Sequence, residues 1–454
     1  MSIAALPPVR RRGVYSWMLF DWANQPFYAL VLTFIFAPYF ASSVAPDPVS
    51  GQAMWGTATA IAGATIALLA APLGAVADRT GARKRWIFAF SVPFVAGCFG
   101  LWAGVPGMAE PWVVLAFFVL AYVGAEFTLI FTNAMLPTLG PRSEIGRISG
   151  SGWAVGYVGG LVSLVLVLTL LATAPGSDRT LLGLQPAFGL DPATGEPERA
   201  TGPFTALWFM VFAIPLFLFT PDVPRRSARG ALRAGLGDLA ATIRGIRGKG
   251  TLPVYLISSL FYRDGLASLF TFGGIFAAGV LGWGMFELGV FGIVAAATGA
   301  LGAWLGGKAD SRFGPKPVVT TGILVLMAVC VVVLLTTRNS VLLIPVAEGS
   351  RIPDLVFVLA GAMLGAMAGT IQAASRTLLV DQAEGHVDYA QGFGLYALSG
   401  KATAFVGPAM IAVVTEWTGS QRLGVSPVIL QFLIGLVLLY WVKTTIQEAG
   451  ERTE

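Results

Sequence analysis

Apolar runs long enough to cross a membrane recur along the whole of this 454-residue chain. The hydrocarbon core of a bilayer is about 30 Å thick, so a spanning helix needs roughly 20 predominantly apolar residues. Only 12% of the residues are charged and 56% are hydrophobic, whereas soluble domains carry about 25% charged residues. Because backbone polar groups must be satisfied internally in lipid, such runs are expected to be helices. The sequence therefore predicts an all-α polytopic membrane protein.

Stretches rich in charge, proline or glycine separate these runs and give twelve predicted helices. They cover residues 15–42, 51–77, 86–104, 111–139, 148–173, 203–221, 253–280, 285–306, 317–337, 354–380, 390–415 and 425–442. A basic stretch after the sixth helix predicts a six-helix bundle at 1–221, a linker at 222–252 and a second six-helix bundle at 253–454. Leucine, isoleucine and arginine recur at helical spacing in the linker, which is either an amphipathic surface helix or a flexible connection.

The placement of lysine and arginine predicts the orientation, because cytoplasmic loops of membrane proteins are enriched in these residues. With both termini in the cytoplasm, the cytoplasmic segments hold 21 of the 29 basic residues, the opposite loops hold five, and three lie inside helices. The net charge of +5 therefore marks one face of a membrane and does not indicate a nucleic-acid surface. We expect an integral membrane protein with both termini cytoplasmic and the lipid bilayer as its main partner.

A short motif occurs at the same position in each half of the chain. GAVADRTGARKR follows the second helix, and GGKADSRFGPK follows the eighth. In each, an aspartate comes four residues after a glycine and is followed by glycine and basic residues, which predicts a helix end and a tight charged turn. The motif residues are Gly74, Asp78, Arg79, Gly81, Arg83, Asp310, Arg312 and Gly314.

Charged residues also lie inside the predicted helices. They are Asp21, Glu126, Arg263, Asp264, Arg376 and Lys401. At about 3 kcal/mol each on insertion scales, exposing all of them to lipid would cost more than a typical fold is worth. These three acids and three bases must therefore face a water-filled cavity or one another. The alternative to a functional cavity is a set of static ion pairs that lock helix packing.

Helical periodicity places further polar side chains beside these charges. In the first helix Asp21, Asn24, Gln25 and Tyr28 share one face, and Pro26 can break the helix beside them. Lys401 lies on a face of small residues in the eleventh helix. Besides the six charged residues, the predicted cavity lining consists of Asn24, Tyr28, Asn133, Gln372 and Tyr396.

Two helices carry glycine at every fourth or third position, which lets neighbouring helices approach closely. The glycines are Gly152, Gly156 and Gly160 in the fifth helix, and Gly299, Gly302 and Gly306 in the eighth. The pattern predicts close helix packing.

Two six-helix halves with the same turn after the second helix of each resemble the major facilitator superfamily, whose halves are parallel repeats enclosing a substrate site. Finer features resemble its vacuolar-effluxer-like branch, and one departure is RTLLVDQAEGHVDYAQ after the tenth helix, where relatives usually keep a more basic or proline-containing turn. The segments that carry the resemblance are WMLFDWANQPFYALVLTFIFAPYF, NAMLP, SGSGWAVGYVGG, YRDG, IQAASRTLL and GFGLYALSGKATAFVGP.

The resemblance implies a secondary transporter that moves a small polar solute by alternating access, as a monomer in a bacterial inner membrane. It further implies that the two repeated turns form a cytoplasmic gate and that the glycine faces of the fifth and eighth helices slide during the cycle. Fungal members of the branch are thought to release amino acids from the vacuole. A non-transporting nutrient receptor with the same fold is the alternative.

The intramembrane charges refine this expectation. A near balance of acids and bases suits a zwitterion or a neutral polar solute, so amino acids rank first. Glu126 or Asp264 is the expected site of a coupling proton, in symport or antiport, because a carboxyl group removed from water titrates closer to neutrality. Arg263 and Lys401 would hold a substrate carboxylate or neutralise those acids.

Other classes of protein find no support in the sequence. There is no GxxxxGK[ST] segment for ATP, and no metalloprotease or nucleophile-elbow motif, so neither an enzyme nor a cofactor is expected. The single histidine, His386, lies in a short polar loop, and no metal site is predicted. Cys98 and Cys330 both lie in apolar runs, so no disulfide framework is predicted either.

Overall fold

A computed structural model describes residues 11–443 except 141, 174–176, 178, 223–243, 246–249, 384–395, 397–398 and 401–402. Within these residues, eleven helices are long and apolar enough to span a membrane, and a shorter helix represents the remaining predicted span. The helices are α1 (Arg11–Val44), α2 (Pro48–Thr80), α3 (Arg83–Gly100), α4 (Pro111–Met135), α5 (Arg142–Leu170), α6 (Thr201–Phe219), α7 (Leu252–Leu281), α8 (Met285–Phe313), α9 (Pro315–Leu334), α10 (Ile352–Ala383), α11 (Val406–Thr418) and α12 (Pro427–Tyr440). A two-strand hairpin, Ser340–Val341 with Ile344–Pro345, lies between α9 and α10. The predicted all-α polytopic membrane fold is confirmed.

The chain forms two compact units. The first contains Met1–Pro46 and Thr65–Leu239, and the second contains Asp47–Ala64 and Ala240–Glu454. The predicted boundaries at residues 221 and 253 stay predictions, since most of the linker, and with it the proposed amphipathic helix, lies outside the described residues. Gln52 of the second unit donates from Nε2 to Thr415 Oγ1 at 2.8 Å, which fixes the first part of α2 to α11.

Helix packing follows the same scheme in each unit. In the first unit α1 packs against α6, and α3 packs against α4 and α6. In the second unit α7 packs against α12, and α9 packs against α10 and α12. Each pair in the second unit is the pair of the first unit shifted by six helices, as expected for two copies of one six-helix repeat.

Helix α1 is not a uniform α-helix. Its α-helical part ends at Pro26, and Phe27–Phe34 continues as a π-helix, in which Ile35 N–H donates to Leu30 O, five residues back. Proline lacks the N–H that would continue the regular ladder and its ring crowds the preceding turn. π-Helical segments widen a helix locally and are frequent at functional sites. The change falls within the polar face that the sequence singled out.

The glycine faces of α5 and α8 are used inside their own units. Gly156 and Gly160 of α5 face α1, where an added Cβ at Gly160 would lie 2.8 Å from Gln25 Cγ. In α8 a Cβ at Gly302 would lie 2.0 Å from the carbonyl oxygen of Ala366 in α10. The predicted close packing is therefore present, and its partners are α1 and α10. The sliding contact between the fifth and eighth helices that the resemblance implied stays a prediction.

Candidate functional site

Polar side chains of α1 connect it to α4 in the first unit. Three hydrogen bonds join the two helices, all from positions that share one face of α1. They run from Trp17 Nε1 to Thr132 O at 2.8 Å, from Asn24 Nδ2 to Ala125 O at 3.4 Å, and from Tyr28 Oη to Glu126 Oε1 at 2.9 Å. Glu126 is only 6% exposed, so Tyr28 donates to a carboxylate that is largely removed from solvent.

Asp21 of the same helix points toward a different neighbour. Its carboxylate faces Gly152 of α5, where an added Cβ would lie 2.7 Å from Oδ2, and its Cβ faces Gly156. The predicted polar face of α1 is thus divided, with Asn24 and Tyr28 toward α4 and Asp21 toward α5. Within the described part of the chain, the half-buried Asp21 carboxylate has no hydrogen-bond or ion-pair partner.

In the second unit Arg263 of α7 packs on an aromatic ring. Its guanidinium carbon lies 3.9 Å from the ring centroid of Tyr396, and Nη1 donates to Tyr396 O at 3.0 Å. Gly400 allows this approach, because a Cβ there would lie 3.0 Å from Nη2. Among the described residues no carboxylate pairs with Arg263, so a charged group is held in place by a cation–π contact and a backbone carbonyl.

A buried tyrosine pair lies behind this arginine. Tyr255 stacks on Tyr396 with ring centroids 6.3 Å apart and donates its hydroxyl hydrogen to Ser375 O of α10. Tyr262 Oη lies 2.8 Å from Ser375 Oγ. These hydrogen bonds satisfy the hydroxyl groups of Tyr255 and Tyr262. Because Tyr255 stacks on Tyr396, the ring that contacts Arg263 is held in place.

Asp264, the next residue along α7, turns to other partners. It is 7% exposed, and its Oδ2 accepts hydrogen bonds from the backbone N–H of Gly407 at 2.8 Å and from Gln431 Nε2 at 2.7 Å. One turn further along α7, Ser268 is 2% exposed and its Oγ has no hydrogen-bond partner. Three helices, α7, α11 and α12, thus meet at one buried carboxylate.

The other predicted cavity residues differ in how exposed their side chains are. Gln372 is half-buried on α10, while Arg376 of α10 and Asn133 of α4 are exposed. Lys401 lies outside the described residues.

Each repeated turn contains a glycine with a positive φ whose N–H donates to the carbonyl four residues back. Gly81 after α2 has φ 65°, and its N–H donates to Ala77 O; Gly314 after α8 has φ 82° and ψ 160°, and its N–H donates to Asp310 O. A glycine with positive φ is common where a helix ends. Gly74 and the backbones of Asp78 and Arg79 lie in the last turns of α2, and the side chains of Asp78 and Arg79 are outside the description. Asp310 is half-buried and Arg312 is exposed.

A lysine follows each turn and binds the end of a distant helix in its own unit. Lys84 Nζ donates to Phe217 O at the end of α6, at 2.9 Å. Lys316 Nζ donates to Tyr440 O and Val442 O at the end of α12, at 3.2 and 2.6 Å. Helix C-termini present unsatisfied carbonyls and a partial negative charge, so each lysine acts as a clasp between the third and sixth helices of its repeat.

Asp222 adds a second contact in the first unit. Its carboxylate accepts from the backbone N–H groups of Arg83 at 2.9 Å and Lys84 at 3.1 Å. These N–H groups begin α3 and have no partner within the helix. Asp222 therefore caps α3 from outside the helix.

Sequence reasoning missed Lys84, Lys316, Asp222 and Gln431. Gln431 carried a visible signal, since it is a lone amide in the apolar run of the twelfth helix. Both lysines lie within the repeated motifs, where basic residues indicate topology only. Asp222 falls in the predicted linker, and nothing in its local sequence indicates which helix it caps.

Two six-helix repeats with buried charges in each unit define a membrane transporter of the major facilitator type. Solved structures of this class share the fold. A nucleoside transporter, NupG, superposes with a TM-score of 0.63 at 13% identity over 94% of this chain and 97% of its own. A POT family transporter in complex with 5-aminolevulinic acid superposes with a TM-score of 0.64 at 11% identity over 97% of this chain and 98% of its own.

The chain belongs to the family described as vacuole effluxer Atg22 like, which matches residues 48–449. An uncharacterized MFS-type transporter, YxiO of Bacillus subtilis (strain 168), is 25% identical over 438 residues, 94% of each chain. Autophagy-related protein 22 of Coccidioides immitis (strain RS) is 23% identical over 61% of this chain and 45% of its own length. The resemblance found in the sequence is confirmed, because the family description names an effluxer and the Bacillus relative is named as an MFS-type transporter.

Proposed function

We propose that this protein moves an amino acid, or a solute of similar size and polarity, across a bacterial inner membrane by alternating access. In this proposal it acts as a monomer with both termini in the cytoplasm, which the excess of basic residues in alternate loops supports. The repeated turns around Gly81 and Gly314, with their lysine clasps, would serve as the cytoplasmic gate. A proton on Glu126 or Asp264 would couple the cycle to the proton gradient.

The observation that carries the proposal is the guanidinium of Arg263. Stacking on Tyr396 and one bond to a backbone carbonyl leave further N–H donors of this arginine for a ligand. A guanidinium matches the two oxygens of a carboxylate in a fork geometry that few other side chains provide. A solute carboxylate is therefore the ligand that suits Arg263.

Arg263 also favours this class of solute over uncharged solutes. An amino acid carries a carboxylate that can pair with the guanidinium, whereas a sugar or a nucleoside would leave Arg263 without a counter-charge.

Counterflow in proteoliposomes tests the proposal. Purified protein is reconstituted with one unlabelled amino acid inside, and entry of the same labelled amino acid is followed, for each amino acid in turn. Arg263→Gln should lower the rate about tenfold to a hundredfold, because a hydrogen bond to a charged group contributes about 1.5–3 kcal/mol. Arg338→Gln is the matched control, since Arg338 pairs with Asp354 in an exposed contact and its loss should leave the rate unchanged.

Other outcomes would change the proposal in defined ways. A thermal-shift response to sugars or nucleosides and to no amino acid would refute the solute class. Amino-acid binding without counterflow would favour a nutrient receptor with the same fold. Uptake that ignores an imposed pH gradient would refute proton coupling while leaving transport intact.

A further inference from the structure

The first turn of α11 lacks two consecutive backbone hydrogen bonds. Val406 N–H donates to Thr403 O, three residues back, and the regular pattern resumes when Ala409 N–H donates to Phe405 O. Between them, Gly407 N–H donates to the Asp264 carboxylate of α7 at 2.8 Å, and Pro408 has no N–H to donate. At Gly407 the start of α11 is therefore held by a side chain of another helix.

The surroundings of Gly407 form a buried polar pocket. A Cβ added at Gly407 would lie 2.1 Å from Ser268 Oγ, 3.1 Å from Asp264 Oδ2 and 3.2 Å from Gln431 Nε2. Ser268 and Gln431 are 2% and 1% exposed, and Ser268 Oγ and Gln431 Oε1 have no hydrogen-bond partner among the described residues. Buried polar atoms without partners are rare. Oxygen atoms able to accept a hydrogen thus remain unused beside a carboxylate.

The charge at this pocket is not balanced by the described residues. Arg263, the adjacent residue on α7, is turned toward Tyr396, which precedes α11 in the chain. Tyr262 of α7 donates to or accepts from Ser375, and α12 contributes the neutral Gln431. Lys401, on the approach to α11, lies outside the described residues, and no ion pair of Asp264 is present. An ionised carboxylate in such a setting is costly.

A proton suits this pocket better than a metal ion. Both hydrogen bonds to Asp264 arrive at Oδ2, and their N–H hydrogens place partial positive charge where a metal would have to bind. Metal ions such as Ca²⁺ and Mg²⁺ take about six or more oxygen ligands, whereas a proton needs one oxygen and one acceptor. Oδ1 provides the oxygen, and Ser268 Oγ, one turn along α7, provides the acceptor.

We propose that Asp264 is a proton-controlled cap of α11, an inference that rests on the proposed transport function for its role in the cycle. In the ionised state Oδ2 holds Gly407 N–H by a charge-assisted bond. A proton from water adds to Oδ1, and rotation of the Asp264 or Ser268 side chain lets the new O–H donate to Ser268 Oγ. The bond from Gly407 N–H then goes to a neutral acceptor and becomes roughly half as strong. Pro408 has no N–H and cannot form a second hydrogen bond at this position. Once the bond from Gly407 weakens, α11 can therefore rotate here.

Hydrogen–deuterium exchange of the full-length protein in nanodiscs tests this without any solute. Exchange of the peptide containing residues 403–418 is followed as the pH is lowered and is corrected for the intrinsic pH dependence of amide exchange. In the wild-type protein, exchange at Gly407 should rise about tenfold as Asp264 takes up its proton. Asp264→Asn, a neutral mimic, should exchange fast at every pH. Asp354→Asn, which removes an acid elsewhere in the same unit, should behave as the wild type.

Three results would overturn the inference. The first is a corrected exchange rate at Gly407 that does not change with pH in the wild-type protein. The second is a corrected rate that still depends on pH in Asp264→Asn. The third is a rise in the exchange rate when sodium is added at constant pH. A second pair of variants tests the pocket itself. Gly407→Ala should abolish the pH response, since its Cβ meets Ser268 Oγ, and Ser268→Ala added to it should restore room for the cap and slow the exchange at high pH. Because no solute is used, failed counterflow with a pH-dependent cap would refute the transport proposal alone.

Discussion

Replacing Gly302 with alanine tests how closely α8 and α10 pack. The new Cβ would lie 2.0 Å from the carbonyl oxygen of Ala366 and 2.6 Å from its Cα. Carbon–oxygen contacts of this kind normally begin near about 3.3 Å. The helices must therefore separate by more than about 1 Å, or α10 must shift along α8. The carbonyl of Gly302 also accepts from Thr370 Oγ1 at 2.8 Å, so the separation would stretch that bond as well.

The expected magnitude is the difference between two opposing effects. Overpacking a well-filled helix interface costs about 1–3 kcal/mol, whereas glycine to alanine in a helix gains about 1 kcal/mol. Gly302→Ala should thus lower the free energy of unfolding by up to about 2 kcal/mol. Gly307, five residues further along α8, has nothing within 4 Å of an added Cβ. Gly307→Ala should therefore show only the gain in helix propensity and raise the free energy of unfolding by about 1 kcal/mol.

Titration of the purified protein with sodium dodecyl sulfate, followed by tryptophan fluorescence, measures the difference. Gly302→Ala should unfold at a lower detergent fraction than the wild type and Gly307→Ala at an equal or higher one. If Gly302→Ala is as stable as Gly307→Ala, the close approach of α8 and α10 is wrong and the argument from glycine packing fails with it.

Three further predictions concern single contacts. Asp222→Ala removes the cap of α3 and should lower the free energy of unfolding by about 1 kcal/mol, as measured by the same titration; no change would show that water replaces the cap. Tyr28→Phe removes the hydrogen bond to the Glu126 carboxylate and should destabilise the protein by about 1.5–3 kcal/mol, with Tyr15→Phe, an exposed tyrosine of α1, as the neutral control. The hydrogen bond from the Ser50 side chain, with backbone bonds from Ser50 and Val49, holds the pKa of Asp47 below its usual value. Because the folded-state pKa of Asp47 is depressed, its ionised carboxylate stabilises the start of α2 at pH values above the unfolded-state pKa of about 3.9. This stabilisation is lost as the pH falls through the lower folded-state pKa. The stability difference between wild type and Asp47→Asn should therefore vanish in acid, and a difference that persists there would refute the assignment.

Hydropathy predicted the spans well because a lipid environment leaves few alternatives to a helix of about 20 residues. For the eleventh helix, residues 390–415 form one predicted run, and most of 390–402 lies outside the described residues; α11 is described over Val406–Thr418. Gly407 and Pro408 lie in its first turn, where proline is tolerated, and an apolar proline does not interrupt a hydropathy run.

The candidate site shows a second limit of sequence reasoning. Arg263 and Asp264 were both predicted to line a cavity, and the sequence could not say that they turn to different partners. Consecutive residues of a helix point about 100° apart, so one reaches Tyr396 and the other reaches Gly407. Which helix lies in each direction depends on contacts far apart in the chain, and periodicity within α7 contains no information about them.

The hydrogen bonds that Lys84 and Lys316 form with helix ends also affect how readily these two lysines react with chemical reagents. An acylating reagent must reach the amine, and the half-buried Lys84 and Lys316 hold Nζ against helix-end carbonyls. Lys308, by contrast, is exposed on α8 above the ring of Trp304. Amine labelling followed by mass spectrometry should modify Lys308 rapidly and spare the two clasps. Any condition that makes Lys84 or Lys316 reactive would then report that the third and sixth helices of that repeat have come apart.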